Sequence, residues 1–313
     1  MKIKLIQAAI CLHLLLPINS AIAQELTLES AYLINGVLGL EPSGMAECQG
    51  KLLFVSDKHD EKIFELLLSE NNIATAQGYL DLGFIPTPPP QNFSRWLKVK
   101  RFITELIGIS GGYDWEGITC NDTGDFYLAS EYYFSVLKVG ADGNNQWIGK
   151  NIYQQANKLG FFIEDNAYIE GITLTSNSEI ILAIEREPRG IISILSDDDT
   201  IKTKVQSEKI LADDGLPLDF TGLESNAGKI FALERNRYRV CELTEAYAER
   251  QCYSFKDIAK SPQWGYSSDK YGSAEGLAID KNFIWVLQDN NGNTRRSDQN
   301  DNRATLFKFV KPF

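Results

Sequence analysis

Histidine is almost absent from this sequence, with only His13 and His59 in 313 residues. Zinc sites draw on imidazoles and closely spaced thiolates, and with no C-x-x-C pair among the five cysteines and His59 the one imidazole beyond the leader, a zinc centre lacks support. A serine-histidine-aspartate triad would have to rest on His59, which reads as a loop histidine after Asp57-Lys58. There is no H-E-x-x-H pair or P-loop. Long apolar runs are missing after residue 23, where nothing approaches the roughly 20 residues a spanning helix needs; no stable membrane insertion is expected. Basic residues are in deficit, 31 against 42 acids, for a net charge of −11. That sign repels nucleic acid and anionic lipid and attracts cations.

The N-terminus shows Lys2 and Lys4, an apolar run over 5–16, and Ala21-Ile22-Ala23 before Gln24. This order predicts a signal peptide over 1–23 and a mature domain over 24–313, placed in the periplasm or secreted. Cys11 follows Ile10 rather than a small residue, which argues against lipid attachment. Cys48, Cys120, Cys241 and Cys252 then remain, an even set in a compartment that permits disulfides. Of the three pairings, Cys241 with Cys252 across a strand-turn-strand is favoured, which leaves Cys48 with Cys120.

Internal repetition carries the fold. Five segments align: Glu41-Pro-Ser-Gly44, Asp114-Trp-Glu-Gly117, Tyr168-Ile-Glu-Gly171, Asp219-Phe-Thr-Gly222 and Ser273-Ala-Glu-Gly276. Successive glycines lie 73, 54, 51 and 54 residues apart. Each glycine is followed by a short apolar stretch, a turn, a second apolar run and an acid. Those acids are Asp57, Glu131, Glu185, Glu234 and Asp289, at 13, 14, 14, 12 and 13 residues after the glycine. Units of this length built from short strands predict an all-β fold, a single β-propeller of five blades. The last unit is short of a strand, which the segment 26–33 would supply. The first period is long by an insertion whose prolines 86, 88, 89 and 90 give way to helical spacing over 91–108. A surface helix is expected there, with Arg95, Lys98, Lys100 and Arg101 on its polar side. It would either pack on the propeller or cover the channel mouth; if the insertion hides a degenerate blade, the count becomes six.

In a propeller blade the start of the first strand and the end of the second share a rim. Glu41, Asp114, Glu116, Glu170, Asp219 and Glu275, at or before the glycines, should therefore meet Asp57, Glu131, Glu185, Glu234 and Asp289 at one mouth. Only Lys58, Arg186 and Arg235 are near to compensate. Like charges so close must be protonated, paired or bound to a cation. Calcium, which takes six to eight hard oxygen donors in irregular geometry, is the expected ion. Turn capping and pairing with the arginines are the alternative for any single acid.

Glu41-Pro-Ser-Gly-Met-Ala, Asp114-Trp-Glu-Gly-Ile-Thr, Glu170-Gly-Ile-Thr, Leu233-Glu-Arg, and Glu275-Gly-Leu-Ala followed by Asp289-Asn-Asn resemble the phytase-like ("esterase-like activity of phytase") family and the related SdiA-regulated periplasmic propellers. The resemblance implies an exported propeller, calcium binding and a hydrolase activity. The chemistry that survives the exclusions above is metal-assisted hydrolysis of a small phosphorylated ligand, with Glu116 or Glu170 handling the water and Arg186 or Arg235 steadying charge. The competing expectation is a propeller that binds a ligand or protein at the same mouth without catalysis, its calcium structural.

Overall fold

The computed structural model describes residues 23–313 apart from 37–38, 107–111, 166, 196–200, 207–214 and 269–270. The expected leader lies outside the described residues except for Ala23. Two strands, β1 (Gln24–Glu25) and β2 (Thr27–Asn35), come first. A meander of β3 (Pro42–Cys48), β4 (Lys51–Ser56), β5 (Lys62–Leu68) and β6 (Ile73–Asp81) follows. After helix α1 (Arg95–Leu106) come β7 (Trp115–Cys120), β8 (Phe126–Ser130), β9 (Ser135–Val139) and β10 (Asn145–Ile148). Helix α2 (Ile152–Lys158) precedes β11 (Ile169–Leu174), β12 (Glu179–Ile184), β13 (Gly190–Leu195) and β14 (Ile201–Gln206). The next meander is β15 (Gly222–Asn226), β16 (Lys229–Glu234), β17 (Arg239–Leu243) and β18 (Glu249–Ser254), followed by the short α3 (Lys256–Ala259). The chain ends on β19 (Ala274–Ile279), β20 (Phe283–Gln288) and β21 (Thr305–Val310).

The fold is a β-propeller. Its last meander is completed by β2, which pairs antiparallel with β21 from Thr27↔Val310 to Leu33↔Thr305, as the sequence predicts. The same N-terminal segment ties two further meanders. β1 runs parallel to β18, and the far end of β2 runs parallel to β6 at Leu33↔Ile73. Edges that would otherwise offer free N–H and C=O groups are thereby paired.

The second strands read as nearly unbroken apolar runs because each blade is covered on both faces. Alternate side chains go to opposite neighbours. On β12, Ile180, Leu182 and Ile184 pack toward the preceding blade with Tyr127 and Val136, while Ile181 and Ala183 pack toward the next with Phe220 and Leu223. On β20, Ile284 and Val286 meet Phe231 and Val240, whereas Trp285 and Leu287 meet Phe54 and Met45. Burying each such side chain contributes about 1.5–3 kcal/mol, so the blade interfaces together form the core.

Both expected disulfides are present, Cys241–Cys252 and Cys48–Cys120. The first joins residues directly opposite on β17 and β18. The second fastens the end of β3 to the end of β7, across 72 residues of chain. Among the described residues no helix is long and apolar enough to cross a membrane.

The insertion forms a helix as expected, but the face it presents to the propeller corrects the sequence reading. Leu97 is buried, and the Ser94 hydroxyl caps the first turn by accepting the Leu97 N–H at 3.2 Å. Arg101 is drawn inward: its guanidinium lies 3.6 Å from the Tyr132 ring centre and 4.6 Å from that of Phe93, and it donates to the Tyr132 carbonyl. Trp96, Phe102, Ile103 and Leu106, expected on the packed side, are exposed. A guanidinium between aromatic faces joins the buried Leu97 in holding this helix. Among the described residues, none of α1 lines the central cavity described next.

Candidate functional site

The five repeated glycines set the width of the channel. A Cβ on Gly44 would stand 2.4 Å from the Cα of Gly117, and one on Gly171 would stand 3.0 Å from the Cα of Gly222. Inner strands this close tolerate no side chain. The throat lined by Gly44, Gly117, Gly171 and Gly222 holds no water-sized space, so the channel mouth is a cup rather than a tunnel.

The backbone aims acids into that cup. Trp115 pairs with Ser130 but Gly117 with Ala129, so Glu116 is an extra, bulged residue. Glu170 and Glu275 occupy the same irregularity before Gly171 and Gly276. A bulge re-aims one side chain out of the pleat, here toward the axis. The second set of acids is fixed by its own amides. Glu131 N–H donates to the Asp114 carbonyl at 2.9 Å, Glu185 N–H to Tyr168 at 2.9 Å, and Asp289 N–H to Ser273 at 2.7 Å.

The resulting cavity has a volume of about 920 Å³. Glu41, Asp57, Asp114, Glu116, Glu131, Glu170, Glu185, Glu275 and Asp289 all line it, together with Arg186 and Arg235. Donor oxygens of Asp114, Glu116 and Glu131 come within 4.8 Å of one another. Burial, then the Asp57 and Asp60 charges, raise the Asp114 carboxyl to about 6. Burial followed by neighbouring carboxylates pushes Glu116, Glu131 and Glu170 well above the usual range. Glu185 and Asp289 rise to about 7, chiefly through burial. Four of these acids each bury one oxygen that no protein donor reaches: Asp57 Oδ1, Glu131 Oε1, Glu185 Oε2 and Asp289 Oδ1.

The cations are bound by acids. Arg235 donates from Nε to Asp219 at 3.1 Å, from Nη1 to both oxygens of Glu275 at 2.8 and 3.0 Å, and from Nη2 to Glu185. Burial opposes its charge, but Glu275, Asp219 and Glu185 outweigh that and raise it further. Arg186 pairs with Glu185, and Lys58 reaches Asp57 at 2.8 Å and Glu41 at 3.2 Å.

A protein-family model described as SdiA-regulated matches residues 96–292, which include four of the five glycine-acid repeats. The chain belongs to the SdiA-regulated family. Comparison with curated protein sequences finds no match. Among solved structures, glutaminyl cyclase of Myxococcus xanthus superposes with a TM-score of 0.51 at 12% identity, over 92% of this chain and all of that one (100%). Virginiamycin B lyase of Staphylococcus aureus gives 0.42 at 13% identity, over 93% and 74% of the two chains. The likeness to glutaminyl cyclase shows the fold alone.

In this SdiA-regulated chain two of the expected acids lie elsewhere. Asp219 is fully buried beneath Arg235 and accepts the Asn236 N–H at 3.0 Å, so it supports the cup wall without lining it. Glu234 is turned away and held by Arg189 and Arg239. Both have arginine partners that remove them from the mouth. His59 also stands apart from the cavity, edge-on to Phe64. Sequence reasoning missed Asp60, whose carboxylate accepts the Tyr113 N–H at 2.8 Å and so holds the segment that carries Asp114 into β7. The adjacent Asp57-x-x-Asp60 spacing was its only signal. It also missed the polar wall of Tyr271, Asn291 and Asn293, which comes from loops outside the repeat.

Proposed function

We propose that this cup binds calcium and serves an exported propeller that hydrolyses small phosphate esters. The supporting observation is the set of unpartnered buried oxygens on Asp57, Glu131, Glu185 and Asp289, all lining one cavity. A buried oxygen without a donor is costly, and a cation supplies what the protein does not. The donor set fits a hard ion: all oxygen, no imidazole or thiolate, and irregular spacing. Asp114, Glu116 and Glu131 would hold it, with Glu41 and Asp57 on the same cavity wall. Calcium bound there would polarise a phosphate oxygen. Glu170, its carboxyl raised by burial and then by Glu185, Glu116 and Glu131, would exchange the proton with the attacking water. Arg186, which lines the cavity with its side chain 25% exposed, would steady the charge of a bound anion, whereas each nitrogen of Arg235 is directed at a carboxylate.

The test has two parts. Calorimetric titration should show calcium binding more tightly than magnesium, and p-nitrophenyl phosphate should be hydrolysed with calcium and not with EDTA. Absence of calcium binding overturns the site. Binding without hydrolysis of this or other phosphate esters leaves a calcium-stabilised binding propeller.

A further inference from the structure

Helix α1 turns its apolar stripe away from the propeller. Trp96 is 67%, Phe102 64% and Leu106 74% exposed, and Val99 and Ile103 are about half exposed. At 100° per residue these five share one face, opposite the face of Leu97, Lys100, Arg101 and Thr104 that meets the blades. The orientation is fixed by the buried Leu97, by Arg101 on Tyr132, and by the Lys100–Asp165 ion pair at 3.3 Å. Ile163, two residues from Asp165, is also 64% exposed.

The charge of this segment is the reverse of the chain's. Residues 95–106 hold four bases against one acid, a net +3, within a total of −11. Arg95 and Lys98 are exposed beside the stripe.

We infer that α1 is an interfacial helix that seats the protein on an anionic lipid surface. Aromatic and aliphatic side chains enter the headgroup boundary while flanking bases meet anionic headgroups. Twelve residues make a helix of about 18 Å, long enough to lie in the interface and too short to span it. A protein partner is the weaker fit, since interface cores are depleted in lysine. The acidic cup of a second copy would satisfy the bases and leave Trp96 and Phe102 without an apolar seat. The remaining surface is acidic and repels the same lipid, which confines contact to the helix and makes it salt-sensitive.

Sedimentation with vesicles tests this, performed in EDTA so that calcium cannot bridge acids to lipid. The purified protein should sediment with phosphatidylcholine vesicles containing 30% phosphatidylglycerol at low salt. Binding should fall at least tenfold on pure phosphatidylcholine or in 0.5 M NaCl. The variant Trp96→Glu/Phe102→Glu should lose at least tenfold while melting like the parent, because neither side chain is buried. Failure of the parent to sediment, or undiminished sedimentation of the variant, overturns the inference. A lipid-free dimer that the variant converts to monomer overturns it in favour of self-association. Neither result bears on calcium binding, which the EDTA removes.

Discussion

Arg235 clasps Glu275 with one nitrogen, Nη1 lying 2.8 Å from one carboxylate oxygen and 3.0 Å from the other. The two residues are 40 apart in sequence and belong to successive blades, so the guanidinium fastens the wall of the cup as well as neutralising it. Its other nitrogens hold Asp219 and Glu185. Arg235→Met would leave Asp219 and Glu275 without their cation and Glu185 with Arg186 alone. Breaking a buried ion network from one side costs about 3–5 kcal/mol, so urea unfolding should show a loss in that range. Arg250, whose pair with Glu242 is 65% exposed on the arginine side, is the control: Arg250→Ala should cost about 1 kcal/mol or less. Equal losses would show that Arg235 is not the clasp described.

The two disulfides should differ in worth. Cys48–Cys120 closes 72 residues and Cys241–Cys252 closes 11. Chain entropy gives roughly 4 and 3 kcal/mol respectively. Cys48→Ser/Cys120→Ser should therefore lower the urea midpoint more than Cys241→Ser/Cys252→Ser. The reverse order would mean that the register of β17 and β18 depends on its bridge more than the β3–β7 junction does.

Much of this architecture was legible in the sequence because one physical need recurs in every blade. Inner strands that nearly touch require glycine, and the Glu-Gly step that bulges Glu116, Glu170 and Glu275 inward leaves a dipeptide visible at a fixed interval. The acids ending the second strands follow from the same antiparallel geometry. Asp219 and Glu234 broke the pattern because their arginines, Arg235 for one and Arg189 and Arg239 for the other, are brought beside them by loops and neighbouring strands whose pairing no repeat interval encodes. Helix α1 shows the same limit. Its apolar period was plain, but period alone does not tell which face meets the protein, and here Arg101 on Tyr132 decided it.

Stability should fall as pH rises in the metal-free protein. Burial raises Glu185 from 4.5 to about 7, against Arg235 and Arg186, with Asp219 and Glu275 adding to the rise; it raises Asp289 from 3.8 to about 7, with Glu275 and Glu41 adding. A carboxyl raised in the folded state contributes stability that is complete below its unfolded value and is lost as pH climbs through the folded value. For Glu185 that window is 4.5 to about 7, and the loss is roughly 3 kcal/mol. Asp125 and Asp301, lowered to about 2, act in the opposite sense but only below about pH 4. In EDTA the melting temperature should be higher at pH 5 than at pH 8. Calcium should raise it at pH 8 and do little at pH 5, where protons hold the same oxygens. A metal-free protein that melts higher at pH 8 would contradict the burial of these acids.

Glu116→Gln separates a structural acid from a functional one. Glu116 lines the cup, its oxygens cluster with those of Asp114 and Glu131, and its carboxyl is raised by burial and then by Asp114 and Glu131. Glutamine keeps the shape and removes the charge, so without metal the variant should be more stable than the parent at pH 8, since like-charge repulsion is relieved. The gain on adding calcium should shrink, because an amide oxygen is a weaker ligand than a carboxylate. Phosphatase activity, under the reading proposed here, should fall by about 100-fold or more. His59→Ala, altering a residue outside the cavity, should change none of the three. An acid that merely capped a turn would lose stability on this substitution and leave the calcium response intact, and that pair of results would remove Glu116 from the site.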